Sequence, residues 1–253
     1  MLTEFLVTHA FGVMLVFARI GTAFMFMPGI SASYVSARLR VLLALAVTVA
    51  LYPSVTQYLP PMPTSVWRLV LLVIAEGFYG GFMGLLAQLA LSALHFAGTA
   101  IGRDSGLMNA MVFDPVTEQQ GALVVGLLSN VAVVLIFALD LHHLMFMALY
   151  QSYTLFTPGS APDGGLHLTM AVDILSRSAF LALRLAAPFL MFAVIFQTTM
   201  GLMARISPQM NIFFIALPLQ IFLGLAILWV SLPAIMMWFL SFYADVFRSF
   251  LPD

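Results

Sequence analysis

Residues 66–101 form one nearly continuous apolar stretch, interrupted by Arg68, Glu76, Gln88 and His95. Coiled as a helix at about 1.5 Å per residue, it would be roughly 50 Å long, well beyond a hydrocarbon core about 30 Å thick. Two crossings joined by a turn would need roughly 40 residues or more. The stretch therefore predicts a helix that tilts steeply, leaves the bilayer or breaks within it. Runs of the same kind cover residues 5–27, 39–58, 121–153, 171–203 and 212–247. Pro188, Pro218 and Pro233 lie inside the last two and predict kinks. The expected fold is all-α: a polytopic membrane protein of long, kinked helices and helical hairpins, built from about six hydrophobic segments.

Composition supports a lipid-facing surface. Of the 253 residues, 63% are hydrophobic and 8% are charged, against about 25% charged in a soluble domain. The net charge of −1 offers no basic face to nucleic acid. All nine cations are Arg, a side chain that tolerates partial burial better than Lys. With no Cys, disulfides and thiolate metal sites are excluded. The first apolar run follows Met1-Leu2-Thr3-Glu4 without a positive start or a cleavage pattern, and is expected to be a retained helix.

Six crossings with the N-terminus outside place Arg38, Arg40, Arg103 and Arg205 in the three inner connections. The outer side then holds Arg68 and Arg248, both near helix ends. The positive-inside rule favours this orientation, with both termini outside the cytoplasm.

Glycines recur at four-residue spacing, the repeat of one helix face. Gly77/Gly81 and Gly80/Gly84 overlap, and Gly98, Gly102 and Gly106 continue the spacing toward a polar connection. In lipid such stripes let backbones approach closely. Gly77, Gly81, Gly84, Gly98 and Gly102 are the candidates for helix packing, either within the chain or against other subunits.

Charges in apolar surroundings need a partner, a cavity or water. Arg19, Glu76, Arg177, Arg184 and Arg205 fall in or beside apolar runs. Glu76 is expected to be half of a structural ion pair, because no ladder of acids crosses the chain. Asp140-Leu141-His142-His143 gathers ligand-type residues. Asp140 and His143, three apart, could share a ligand, but zinc catalysis wants three protein ligands. The cluster is expected to mark a membrane interface or a subunit contact, and no metal or cofactor is assigned. The sequence holds no nucleophile elbow, phosphate loop or paired carboxylates, so no catalytic residue is assigned either.

The connection 102–120 is unusual. Leu107, Met108, Met111, Val112 and Phe113 stand where a solvated loop should be polar, ahead of the turn signal Asp114-Pro115. Methionine fills irregular gaps, and apolar constrictions gate pores by excluding water. The segment reads either as a helix end entering the core or as a plug.

Several stretches, in order, resemble the flagellar biosynthetic FliR family and its injectisome counterpart in type III secretion. These are Phe17-Ala18-Arg19-Ile20-Gly21 through Pro28, Arg40-Val41 through Pro53, Ala75-Glu76-Gly77 with Gly81 and Gly84, Ala97-Gly98 to Asp114-Pro115, Leu141-His142-His143 through Ser152, and Pro158-Gly159. The most distinctive is Ala204-Arg205-Ile206-Ser207-Pro208-Gln209-Met210-Asn211-Ile212-Phe213, followed by Pro218 and Gly224. The resemblance implies a non-enzymatic subunit of the flagellar protein-export gate. It implies assembly with FliP-type and FliQ-type subunits, contact with FlhB-type and FlhA-type proteins, and a place in the bacterial inner membrane at the flagellar basal body. It likens residues 1–165 to a FliP-type subunit carrying the plug-like loop 102–120, and residues 166–253 to a FliQ-type hairpin. Gly106, Met108, Met111, Phe113, Asp114 and Pro115 would then form the plug, with Phe113 at its tip. Arg103-Asp104 depart from the family pattern, which carries an uncharged, amide-bearing stretch there; they form a local ion pair or meet different partners.

Other classes remain open on residues alone. A small-solute transporter would show paired halves and a midplane polar site. An intramembrane enzyme could rest only on Asp140, His142 and His143. Between flagellar and injectisome use, Pro208-Gln209-Met210-Asn211 leans toward the flagellar one.

Overall fold

The computed structural model describes residues 2–107, 121–206 and 212–251. Among them the regular structure is helical, with no strand. The elements are α1 (Leu2–Phe26), α2 (Ala37–Val55) with a 3-10 turn (Thr56–Tyr58), α3 (Val66–Asp104), α4 (Gly121–Ala138), α5 (Leu141–Leu155), α6 (Gly164–Ile206) and α7 (Ile212–Arg248). Five of these helices are long and apolar enough to cross a membrane, or six spans if α4 and α5 together make one.

Helix ends follow local chemistry. Pro28 has no N–H to continue α1, and Gly29 turns away with a positive φ of 82°. Ser36 caps α2 by accepting from Leu39 N–H at 3.3 Å. Asp163 Oδ1 caps α6, accepting from the N–H groups of Gly165 (2.9 Å) and Leu166 (3.4 Å). Between α5 and α6, Gly159 supplies the left-handed turn at φ 88°.

The long runs are indeed long helices. α3 has 39 residues and α6 has 43, about 58 and 65 Å at 1.5 Å per residue. α3 continues through Gly102 to Asp104, so the polar connection begins later than its polarity suggests. α6 and α7 contain Pro188, Pro218 and Pro233 without interruption. The break that does occur has no proline or glycine. Between α4 and α5 the chain bends by 76° at Leu139–Asp140, where Asp140 takes a left-handed φ of 58°. Asp is among the few residues that enter this region at modest cost.

The chain divides into two compact units. The first comprises Met1–Ala90, Ile136–Leu175 and Tyr243–Asp253. In it α1 packs on α2, and Phe11, Leu15 and Leu72 form a core edged by Leu59, Leu69 and Val73. The second comprises Leu91–Leu135 and Ser176–Phe242. There Gly98 of α3 meets Val125 of α4, and two cations of α6 lie over rings of α7, Arg184 at Trp238 (5.9 Å) and Arg177 at Phe242 (5.6 Å).

The outer surface is apolar. α2 buries only Ala44, Thr48 and Val55 and turns Leu39, Leu42 and Val49 outward. α6 and α7 expose Phe180, Met191, Phe222, Trp229 and Val230. Monomeric soluble proteins rarely expose apolar side chains to this extent. Lipid or other chains must cover them.

Candidate functional site

The first unit is organised around Arg19, which is fully buried in the C-terminal third of α1. Its guanidinium is a fork of N–H donors that cannot lose its charge inside a protein. Nε donates to Glu76 Oε2 at 2.7 Å, and a terminal nitrogen donates to Oε1 at 3.1 Å. That is a two-pronged pair between α1 and α3. Two further bonds reach α5 and its C-cap: Ser152 Oγ at 3.1 Å and the Phe156 carbonyl at 3.0 Å. Ser152 Oγ donates in turn to the Leu149 carbonyl at 2.6 Å. Arg19 Cζ lies 4.0 Å from the Tyr153 ring centroid and 5.1 Å from that of Tyr79, within cation–π range.

An aromatic nest surrounds this pair. Tyr79 stacks on Phe156 (5.3 Å, 7°) and hydrogen-bonds through its hydroxyl to Ser160 Oγ at 3.0 Å. His167 sits edge-on to Phe82 at 4.5 Å. Glu76 is as buried as Arg19. Opposite charges that consume each other and spend their spare donors on fixed acceptors leave nothing to pass an ion along. The arrangement ties three helices together.

A glycine seam brings α1 and α3 close enough for that contact. A Cβ on Gly80 would fall onto the Arg19 carbonyl oxygen and Thr22 Oγ1. One on Gly84 would lie 2.6 Å from the Ala23 carbonyl oxygen and 2.7 Å from Phe26 Cβ. Gly77 and Gly81 are looser, with nearest atoms at 3.6 Å on Thr22 and 3.8 Å on Phe26. The close-approach pair is thus Gly80/Gly84, and it packs within this chain. Gly80 belonged to the overlapping pattern but not to the candidate set. Ser152 and Tyr153 carried no sequence signal, since nothing local marks them as partners of Arg19.

The second unit holds a tight knot at the end of α3. A Cβ on Gly98 would lie 2.9 Å from Val125 Cα, so α3 and α4 touch through backbone. Gly102 is buried and its carbonyl accepts from Ser105 Oγ at 3.2 Å. Arg103 and Asp104 form the local ion pair at 3.1 Å, with Asp104 nearly buried. Gln220 of α7 donates to the Asp104 carbonyl at 3.1 Å. Gly106 ends the segment with φ 77°, and Gln220 fills the space where its Cβ would stand. Gly224 makes room for Ser105. Met108, Met111, Phe113, Asp114 and Pro115 lie outside the described residues. Arg205, in the last turn of α6, is exposed. Asp140 and His143 are exposed at the α4–α5 bend, 3.6 Å apart.

The family model for bacterial export proteins, family 1, matches residues 10–246. The chain belongs to that family. The match takes in Arg19, Glu76, both glycine pairs and the α3–α7 knot. The chain is similar to the flagellar biosynthetic protein FliR of Caulobacter vibrioides, 35% identical over 93% of this chain and 94% of the relative. It is 27% identical to FliR of Bacillus subtilis over 88% of this chain and 86% of that protein. The surface presentation of antigens protein SpaR of Salmonella typhimurium is 25% identical over 84% of this chain and 78% of its own length.

Proposed function

We propose that this family 1 export protein is a structural, non-enzymatic subunit of the flagellar type III protein-export gate, helping to form and close the channel through which flagellar proteins leave during assembly. The carrying observation is the likeness, over nearly its whole length, to a flagellar biosynthetic protein at 35% identity. The injectisome reading is weaker, because SpaR is 25% identical over less of the chain.

The physics agrees with a subunit role. The buried ion pair and the glycine seam use the chain's intramembrane charges and close approaches to hold helices together. The broad apolar outer faces await lipid and sister chains. The partners in this reading are FliP-type and FliQ-type subunits, with FlhB-type and FlhA-type proteins, in the inner membrane at the basal body. Residues 1–165 take the FliP-like role and residues 166–253 the FliQ-like hairpin. Energy for export comes from partners or the proton gradient.

Deleting the gene should abolish swimming and the secretion of flagellar proteins into the medium, and the intact gene should restore both. A deletion strain that still swims and secretes would overturn the proposal. In this reading residues 106–115 act as the plug. Their removal should raise ion leak across the membrane in the assembled complex; an unchanged leak would remove the plug assignment while leaving the subunit role intact.

A further inference from the structure

We propose that Asp140, His142 and His143 form a binding site for a divalent transition-metal ion of the zinc, cobalt or nickel kind, at the bend between α4 and α5. On a continuous helix, residues two apart point to nearly opposite faces, and Asp140 could not meet His142. Here Asp140 stands outside α5 in the left-handed region (φ 58°, ψ 16°). The turn folds its side chain back over the first turn of α5. One ligand atom from each of the three residues then lies within 4.8 Å of the others.

The carboxylate is also uncommitted to the backbone. An Asp at a helix N-cap usually accepts from the N–H groups two and three residues on. Asp140 makes no such bond. Its Oδ1 lies instead 3.6 Å from His143 Nδ1. His142 is held by stacking on Phe137 (5.1 Å, 24°), and its ring lies 4.2 Å from that of His143. His142 Nδ1 is shielded from solvent and has no hydrogen-bond partner. A buried ring nitrogen with unmet bonding capacity is costly unless something fills it.

The donor set selects the ion. Two imidazoles and one carboxylate suit zinc and its neighbours; calcium and magnesium want oxygen, and copper(I) wants sulfur. Donors at about 2.0–2.2 Å from one ion sit roughly 3–4 Å apart, so the three must close slightly on binding. Asp140 and His143 can do so, because their side chains are 76% and 61% exposed. Three protein ligands leave a position for water or for a donor from a neighbouring chain. The ion would balance the Asp140 carboxylate beside His142, whose ring packs on Phe137 and Phe146, and would brace the bend that joins α4 to α5.

The test uses the full chain in detergent, purified on a tag without histidine and stripped with a chelator. Zinc is titrated by calorimetry, and cobalt(II) by its visible absorption. One ion per chain is expected, with a cobalt spectrum showing nitrogen ligation. Asp140→Asn, which keeps the left-handed tendency, and His142→Ala should each weaken binding about tenfold or more, as a lost ligand must cost at least what a lost supporting partner does. His95→Ala should leave it unchanged. No saturable binding, or binding that survives Asp140→Asn, His142→Ala and His143→Ala alike, would overturn the proposal.

Discussion

Glu76→Ala should destabilise the protein by about 3–5 kcal/mol, because it leaves the Arg19 guanidinium buried without its counter-charge. Arg19 has no exposed surface through which to recover water, and Ser152 and the Phe156 carbonyl are already engaged. A guanidinium cannot shed its proton to escape the cost. The expected readout is a sharp fall in full-length protein retained in the membrane, with swimming lost alongside. Glu76→Gln keeps one acceptor and should fall between. Combining Glu76→Ala with Arg19→Met removes both charges, and should recover part of the loss, since buried pairs are often replaceable by apolar side chains. Wild-type abundance and thermal midpoint for Glu76→Ala would contradict the role given to the pair.

The second large effect is at Gly80. Gly80→Ala places a methyl group where the Arg19 backbone carbonyl stands, and backbone cannot rotate aside as a side chain can. α1 and α3 must separate, and the Arg19–Glu76 contact lengthens with them. A loss of about 1–3 kcal/mol is expected, with more for Gly80→Val. Gly77→Ala is the control on the same helix, three residues away. Its methyl would meet Thr22 Cγ2 at 3.6 Å, an ordinary contact, and alanine favours helix by about 1 kcal/mol over glycine. Thermal denaturation of the two variants in detergent should therefore move in opposite directions. Equal shifts would mean that the seam does not set the α1–α3 distance.

The helical layout was readable because lipid imposes it. Apolar runs long enough to cross a bilayer leave few alternatives, and Pro28-Gly29 and Pro158-Gly159 mark where helices stop. That Arg19 and Glu76 need partners was equally plain from their cost in apolar surroundings. Their pairing with each other, and with Ser152 and Tyr153, was not. It depends on how α1, α3 and α5 dock, and no local pattern encodes that. The glycines show the same boundary. Spacing reveals two overlapping pairs, but which of them turns toward α1 is a tertiary fact, and only the packing singles out Gly80. The bend at Asp140 escaped because its neighbours, Leu139 and Leu141, carry no breaker. An isolated Asp within an apolar run was the available signal. His142 stood in the same sequence cluster, but a continuous helix would have turned it away from Asp140; the break lets the three converge.

The central claim is that this chain is one part of a larger export gate, and affinity purification of the tagged chain in mild detergent tests it most directly. Mass spectrometry of the eluate should find FliP-type and FliQ-type subunits in a single stable particle, with little of the chain running alone. A lone, monodisperse and folded chain that brings neither subunit with it would contradict the account.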